Sequence, residues 1–210
     1  MDDETRHPPV SDASSTAAER RLPVYLLVED DLAADPAALG PLPETIARLG
    51  HTLVRSFIYG AEAQALSDAW AECPDLGEAL RRVSQSLEEE SRRRTAGDPG
   101  DYPPLIFILA SDAPEGDWAS PALSVRTLTD LRLINVLGFG FNEAAVRALL
   151  QLTHSVFAVS DEAGALADCA AWIRRVTETT TRLAPAAAAK NKLVRVPAPP
   201  KTVTPVPLQL

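Results

Sequence analysis

Three consecutive carboxylates, Glu29, Asp30 and Asp31, follow directly on the apolar run of residues 22–28 (LPVYLLV), and Asp112, Glu115 and Asp117 follow a second run at 105–110 (LIFILA). Carboxylates gathered from two strand ends have the chemistry of a divalent-cation site. Ca²⁺ accepts about six to eight oxygens in flexible arrangements, whereas Mg²⁺ demands near-octahedral placement. The plainer reading makes the same acids hydrated loop residues, with Asp112 or Asp117 capping the helix that follows. Ligand spacing alone does not fix geometry, so both readings stay open on the residues themselves.

Other chemistry finds less support. Gly138 and Gly140 in LGFGFNEAAV resemble part of a dinucleotide fingerprint, but Glu143 stands where a third glycine belongs, and its carboxylate would repel a pyrophosphate. Two glycines that let the backbone turn at the end of a buried strand explain the pattern better. Nucleophilic catalysis needs an adjacent base. His7 lies in the N-terminal leader, and His51 and His154 sit near the starts of strands, away from Ser111; no GxSxG elbow is present. Ser111 therefore reads as a loop hydroxyl, and no catalytic residue is expected.

The elements that must position these residues alternate along the chain. Continuous apolar runs at 22–28, 105–110 and 133–141 are the pattern of strands covered on both faces. Residues 52–59 (TLVRSFIY) alternate imperfectly, as near a sheet edge, and 155–159 add a short strand. Leu76, Leu80, Val83 and Leu87 form one helical stripe; Leu166, Cys169, Ile173 and Val176 form another. Asn142 precedes EAAVRALLQL and is placed to cap a helix. Strands separated by helices require right-handed crossovers, so the expected fold is a three-layer, doubly wound α/β domain with a mainly parallel sheet and its chemistry at the carboxyl strand ends.

Composition bounds the partners. The 210 residues carry a formal charge of -9 and are 46% apolar, with a pI near 4.8. Such a surface repels nucleic acid and anionic membranes and leaves basic proteins or cations as partners. The N-terminus has no apolar signal core, no run reaches membrane length, and Cys73 and Cys169 form no CxxC, which together predict a cytoplasmic protein. Residues 1–20 read as a flexible leader, 21–183 as the domain, and 184–210, rich in Pro, Val and Lys, as a disordered tail. That tail suits capture by a groove, addition to a sheet edge, or simple spacing.

The Glu88–Arg94 run offers i,i+4 pairs (Glu88 with Arg92, Glu89 with Arg93, Glu90 with Arg94) and reads as a solvated helix end. Trp118 and Trp172 read as anchors of loop or core. Trp70, in a polar, Ala-rich stretch, is the one tryptophan to test for partner contact.

Residues RRLPVYLLVEDD, LGEALRRVSQSLEEE, YPPLIFILASDAPEGDW and INVLGFGFNEAAVRALLQLTHSVFAV, in that order, resemble a von Willebrand factor type A (vWA) domain of the bacterial tellurium-resistance-associated, TerY-like branch, over residues 21–183. The resemblance implies a Mg²⁺ adhesion site made from an Asp-x-Ser-x-Ser motif, a Thr and a further Asp. Matched position by position, these fall on Glu29, Asp31, Ala33, Pro74 and Ser111, and none keeps its expected residue. Ala33 and Pro74 supply no side-chain oxygen, Glu29 is a methylene longer than Asp, and Ser111 removes a charge. The implied function is thus a metal-independent, non-catalytic module for binding another protein, in a stress or tellurium-resistance setting, with no cofactor. The alternative is a protein that binds Ca²⁺ or Mg²⁺ through a rebuilt site of Glu29, Asp30, Asp31, Asp112, Glu115 and Asp117.

Overall fold

The computed structural model describes residues 20–92, 101–189 and 196–207, with side chains placed for all of these except 184–189. The leader, apart from Arg20, lies outside the described residues, as do Arg93 and Arg94. The chain runs β1 (Leu22–Glu29), α1 (Asp30–Ala33), α2 (Pro36–Leu39), α3 (Leu42–Ala47), β2 (Thr52–Tyr59), β3 (Trp70–Cys73) and α4 (Leu76–Arg92). It continues through β4 (Leu105–Ala110), α5 (Ala119–Asp130), β5 (Asn135–Gly140), α6 (Glu143–Leu149), β6 (Val156–Val159), α7 (Ala165–Ala189) and β7 (Val203–Pro205).

The strands form one sheet in the order β3-β2-β1-β4-β5-β6-β7. All neighbours are parallel except β6 and β7. Helices cover both faces, which gives the three-layer, Rossmann-like α/β architecture. The strand order reverses between β1 and β4, and their carboxyl ends open the crevice where doubly wound sheets place ligands.

Alternation along the buried strands explains why their sequences are apolar without a break. In β1, Leu22, Val24, Leu26 and Val28 enter a core with Leu39, Ile46, Trp172 and Ile173, beneath α2, α3 and α7. Tyr25 and Leu27 enter the opposite core with Leu80, Val125 and Leu149, beneath α4, α5 and α6. Each strand therefore has two apolar faces to bury. Trp172 stands edge-on to Phe139 and Phe157, with ring centroids 5.7 and 4.9 Å away, and fixes α7 against β5 and β6.

Four sequence expectations are corrected. The domain does not end at Leu183: α7 continues to Ala189, and Val203–Pro205 pairs antiparallel with β6, with Val203 only 2% exposed. Prolines keep this segment extended, as its composition indicates, but an extended segment with alternating valines can also close a sheet edge, where Pro is tolerated. Trp70 is 4% exposed and packs in the first core, so it presents no contact surface. Gly138 and Gly140 lie within β5 rather than at a turn. A Cβ on Gly140 would meet Val146 at 2.6 Å and one on Gly138 would meet Leu149 at 3.2 Å, so their absent side chains let α6 lie close on the strand. Glu90 points inward rather than to solvent, its Oε1 3.3 Å from the Arg55 guanidinium on β2.

Asn142 caps α6 as expected, its Oδ1 accepting from the Ala145 N–H at 2.7 Å. No helix among the described residues is long and apolar enough to cross a membrane.

Candidate functional site

Glu29 ends β1 and Ser111 follows β4, which places them side by side at the strand reversal. The Glu29 Oε2 accepts from the Ser111 N–H, the Ser111 hydroxyl and, at 3.1 Å, the Asp112 N–H. One carboxylate thus ties the two central strand ends together directly. All three donors are uncharged, two of them backbone N–H groups and one the Ser111 hydroxyl, so the carboxylate is held without a counter-cation.

The remaining acids are arranged around this bridge. Asp30 opens α1; its Oδ1 accepts from the Asp31 N–H and its Oδ2 from the Glu62 N–H, both at 3.0 Å. The Asp30 carboxylate lies over Gly60, at φ 146°, in the space a Cβ would need. Asp75 precedes α4 and accepts from the Glu78 N–H at 2.7 Å, satisfying a free donor of the first turn. The Asp75 carboxylate rests against Gly116, where φ is 81° and a Cβ would come to 3.1 Å. The β4–α5 loop thereby closes on the start of α4. Asp112 is held below the usual carboxylate range by the Ala113 N–H and then by the Asn142 side chain. Glu115 and Asp117 are exposed, and the N-cap position of α5 is Trp118, which makes no side-chain cap, so Asp117 does not perform that role.

A crevice of about 950 Å³ opens between these loops. Seven carboxylates line it: Glu29, Asp30, Asp31, Glu62, Asp75, Asp112 and Glu115, with no Lys, Arg or His among the lining residues. Ala33 and Pro74 line it as well. Beneath, the buried Tyr59 hydroxyl donates to the Leu109 carbonyl at 2.9 Å. Burial pushes this phenol well above its ordinary range, and the charges of Glu29 and Asp30 push it further.

The structure therefore brings Glu29, Asp31, Ala33, Pro74 and Ser111 to one place. It brings Asp112 and Glu115 to the same crevice and leaves Asp117 outside the lining. Sequence reasoning missed Glu62 and Asp75. Asp75 carried a signal, since Asp-Leu-Gly-Glu before an apolar stripe has capping-box spacing. Glu62 lies in the irregular 60–69 connection and carried none.

The residues present do not fit an octahedral ion. Ala33 and Pro74 offer no side-chain oxygen, and the Glu29 Oε2, the acceptor between the strand ends, is turned onto Ser111 and Asp112. Among the described residues, no three His, Cys, Asp or Glu side chains are grouped to hold a metal ion. The six acids of the rebuilt site line the crevice or its margin without converging on one point. His154 stands apart with Arg126 and Asp130 near the start of β6, at the other end of the sheet from Ser111.

No family model matches the chain, and no curated protein matches it. Among solved structures it is similar to the RcsB response regulator of Salmonella typhimurium, reported for its conformational dynamism in DNA interaction. The likeness is 14% in identity, covers 88% of this chain and 65% of that one, and has a TM-score of 0.33.

Proposed function

We propose that the chain is a non-catalytic, cytoplasmic protein–protein interaction module, a vWA-like domain whose strand-end crevice receives a basic group of its partner without an intervening metal. One observation carries this reading: the Glu29 carboxylate bridges β1 and β4 through Ser111 and Asp112, at the position where the resembling family holds its ion. With that junction closed by hydrogen bonds, the acids around it face an open cavity whose lining holds no Lys, Arg or His, and among them Asp75 is paired with Arg81 at 4.0 Å. Clefts lined by one sign of charge focus the field and favour a partner of opposite sign. An Arg guanidinium, which pairs with carboxylates in a bidentate manner, suits such a lining best. A scaffold role in a bacterial stress or tellurium-resistance-type system follows from the sequence resemblance alone.

The test is capture of partners on the immobilised chain, with and without chelator, compared with an Asp31→Lys/Glu115→Lys variant. The expected result is a protein retained in chelator, released by salt and lost with charge reversal. Retention that needs Mg²⁺ or Ca²⁺ overturns the reading. So does calorimetry showing a micromolar cation site that Asp31→Ala or Asp112→Ala abolishes, which would establish the cation-dependent alternative.

A further inference from the structure

Strand β2 changes character halfway along. Thr52, Leu53, Val54 and Arg55 are half-buried, whereas Ser56, Phe57, Ile58 and Tyr59 are buried. The step falls where the neighbouring strand begins, because β3 pairs with β2 only from Ser56↔Trp70 onwards. Over its first four residues, about 13 Å of strand, β2 is therefore an edge, with β1 on one side and no described strand on the other. Two hydrogen bonds fix which groups that edge presents. The Leu22 N–H donates to the His51 carbonyl at 2.7 Å, so His51 faces β1, and with it the alternate residues Leu53 and Arg55. The Gly60 N–H donates to the Cys73 carbonyl at 3.1 Å, so Gly60 faces β3, and with it Ile58, Ser56 and Val54. The Val54 N–H and carbonyl thus point outward with no strand opposite them.

The outermost strand is treated differently. By the same alternation Trp70 and Glu72 of β3 turn away from β2, and this chain's own groups meet them. The Trp70 N–H donates to the Ser67 carbonyl, and the Arg82 Nη1 donates to the Glu72 carbonyl, each at 3.0 Å. The outer edge of β3 is capped in this way, and the half of β2 that β3 leaves uncovered is not. Open pairing groups of this kind are a template for another extended chain. Between that edge and α4 lies a groove of about 450 Å³, with Val54, Arg55, Phe57, Ala71, Arg82 and Gln85 among its lining residues. Trp70 borders it too; its ring is buried, and its indole N–H is an unmet donor.

We propose that this groove binds an extended peptide segment of a partner protein, which adds a short strand to β2 beside Val54, in line with β3. Main-chain hydrogen bonds supply the affinity in this mode of recognition, and the side chains that alternate along the added strand supply the selectivity. The lining balances Arg55 and Arg82 against Asp68 and Glu89, so the segment that fits it carries no net charge. Phe57 and Ala71 stand on the α4 side of the sheet, and an apolar residue of the segment packs against them. The groove is separate from the acidic crevice, which opens at the carboxyl ends of β1 and β4.

Amide exchange and peptide selection on the full chain test this. Before any ligand is added, the Val54 amide should exchange at least about tenfold faster than the Ile58 amide, which lies within the β2–β3 ladder. Random twelve-residue peptides displayed on phage should yield binders that slow the Val54 amide at least about tenfold. Val54→Pro removes only an outward N–H, a place where sheets accept proline, and should weaken a selected peptide about tenfold. A Val54 amide already protected in the chain alone means that another part of the chain or a second copy fills the groove, and overturns the proposal. Selection that enriches no peptide overturns it, as do binders that leave the Val54 amide fast or that a folded Val54→Pro variant holds equally well. Binders lost on Asp31→Lys/Glu115→Lys belong to the crevice and overturn it too. If Val54→Pro does not fold, the exchange of the Val54 amide in the parent chain decides alone.

Discussion

Two carboxylates at opposite ends of the sheet meet the same problem in opposite ways. Glu29, at the carboxyl end, accepts three hydrogen bonds from Ser111 and Asp112. Glu90, on the last turn of α4 near the amino end, is 9% exposed and faces the Arg55 guanidinium at 3.3 Å, without the geometry of a hydrogen bond. Burial pushes the Glu90 carboxyl up, and the attraction of Arg55 only partly opposes it. Fixed N–H donors can hold a charge without a cation, whereas a desolvated partner cation recovers only part of the cost of burial.

The largest expected effect comes from breaking the Glu29 bridge. Glu29→Ala leaves the Ser111 N–H and hydroxyl and the Asp112 N–H without their acceptor at a half-buried junction, at a cost of about 1–3 kcal/mol. Urea denaturation should show a lower midpoint with an unchanged slope. An unchanged midpoint would mean that the strand ends are held by their ladder alone, and the contrast between the two ends would vanish.

The same pair shows what could be read from the residues. Glu29 was legible as a site residue because topology places chemistry at carboxyl strand ends, and β1 and β4 announce themselves by continuous apolar runs. Its actual partner was not legible, since nothing local says that a carboxylate will meet Ser111 across 82 positions. Glu90 was misread although a signal existed. The stripe Leu76, Leu80, Val83, Leu87 continues at the next three-residue interval to Glu90, on the buried face; its residue type and the following arginines pointed to solvent instead. Asn142 was legible because a cap is a local bond. Strands β3 and β7, of four and three residues, fall below any periodic signal and exist through pairing with β2 and β6. Helix α5 was expected only as the helix following Asp112 or Asp117, without an apolar stripe to bound it, because only Ala122 and Val125 are fully buried on it while Leu123 faces out.

Glu90→Gln sharpens the comparison through pH. With its carboxyl raised by burial, the folded chain keeps this proton at pH values where the unfolded chain has released it. Stability therefore falls as pH rises from the ordinary Glu range up to the raised value, and is greatest below that window. Gln carries no proton to lose, so the variant should lack this slope and fall within about 1 kcal/mol of the parent at neutral pH, the loss of Arg55's partner being offset by relief of a buried charge. Denaturation midpoints across the acid range check it. A slope of opposite sign would mean that Arg55 outweighs desolvation, and Glu90 would then resemble Glu29.

Two residues away on the same helix, Glu88 gives the smallest effect and isolates what burial contributes. Its carboxylate lies 3.0 Å from the Arg92 guanidinium in the favourable i,i+4 order, closer than Glu90 is to Arg55, yet the Glu88 and Arg92 side chains are 65% and 76% exposed. Water screens both partners, and ordering two long side chains offsets most of the attraction, so the coupling should be about 0.3–0.5 kcal/mol. A double-mutant cycle of Glu88→Ala and Arg92→Ala measures it, and added salt at about 1 M should erase it, because the screening length then falls to about 3 Å. Coupling that survives salt would show this helix end to be as shielded as Glu90. Distance alone would then rank the two pairs, and burial would no longer be the cause that separates them.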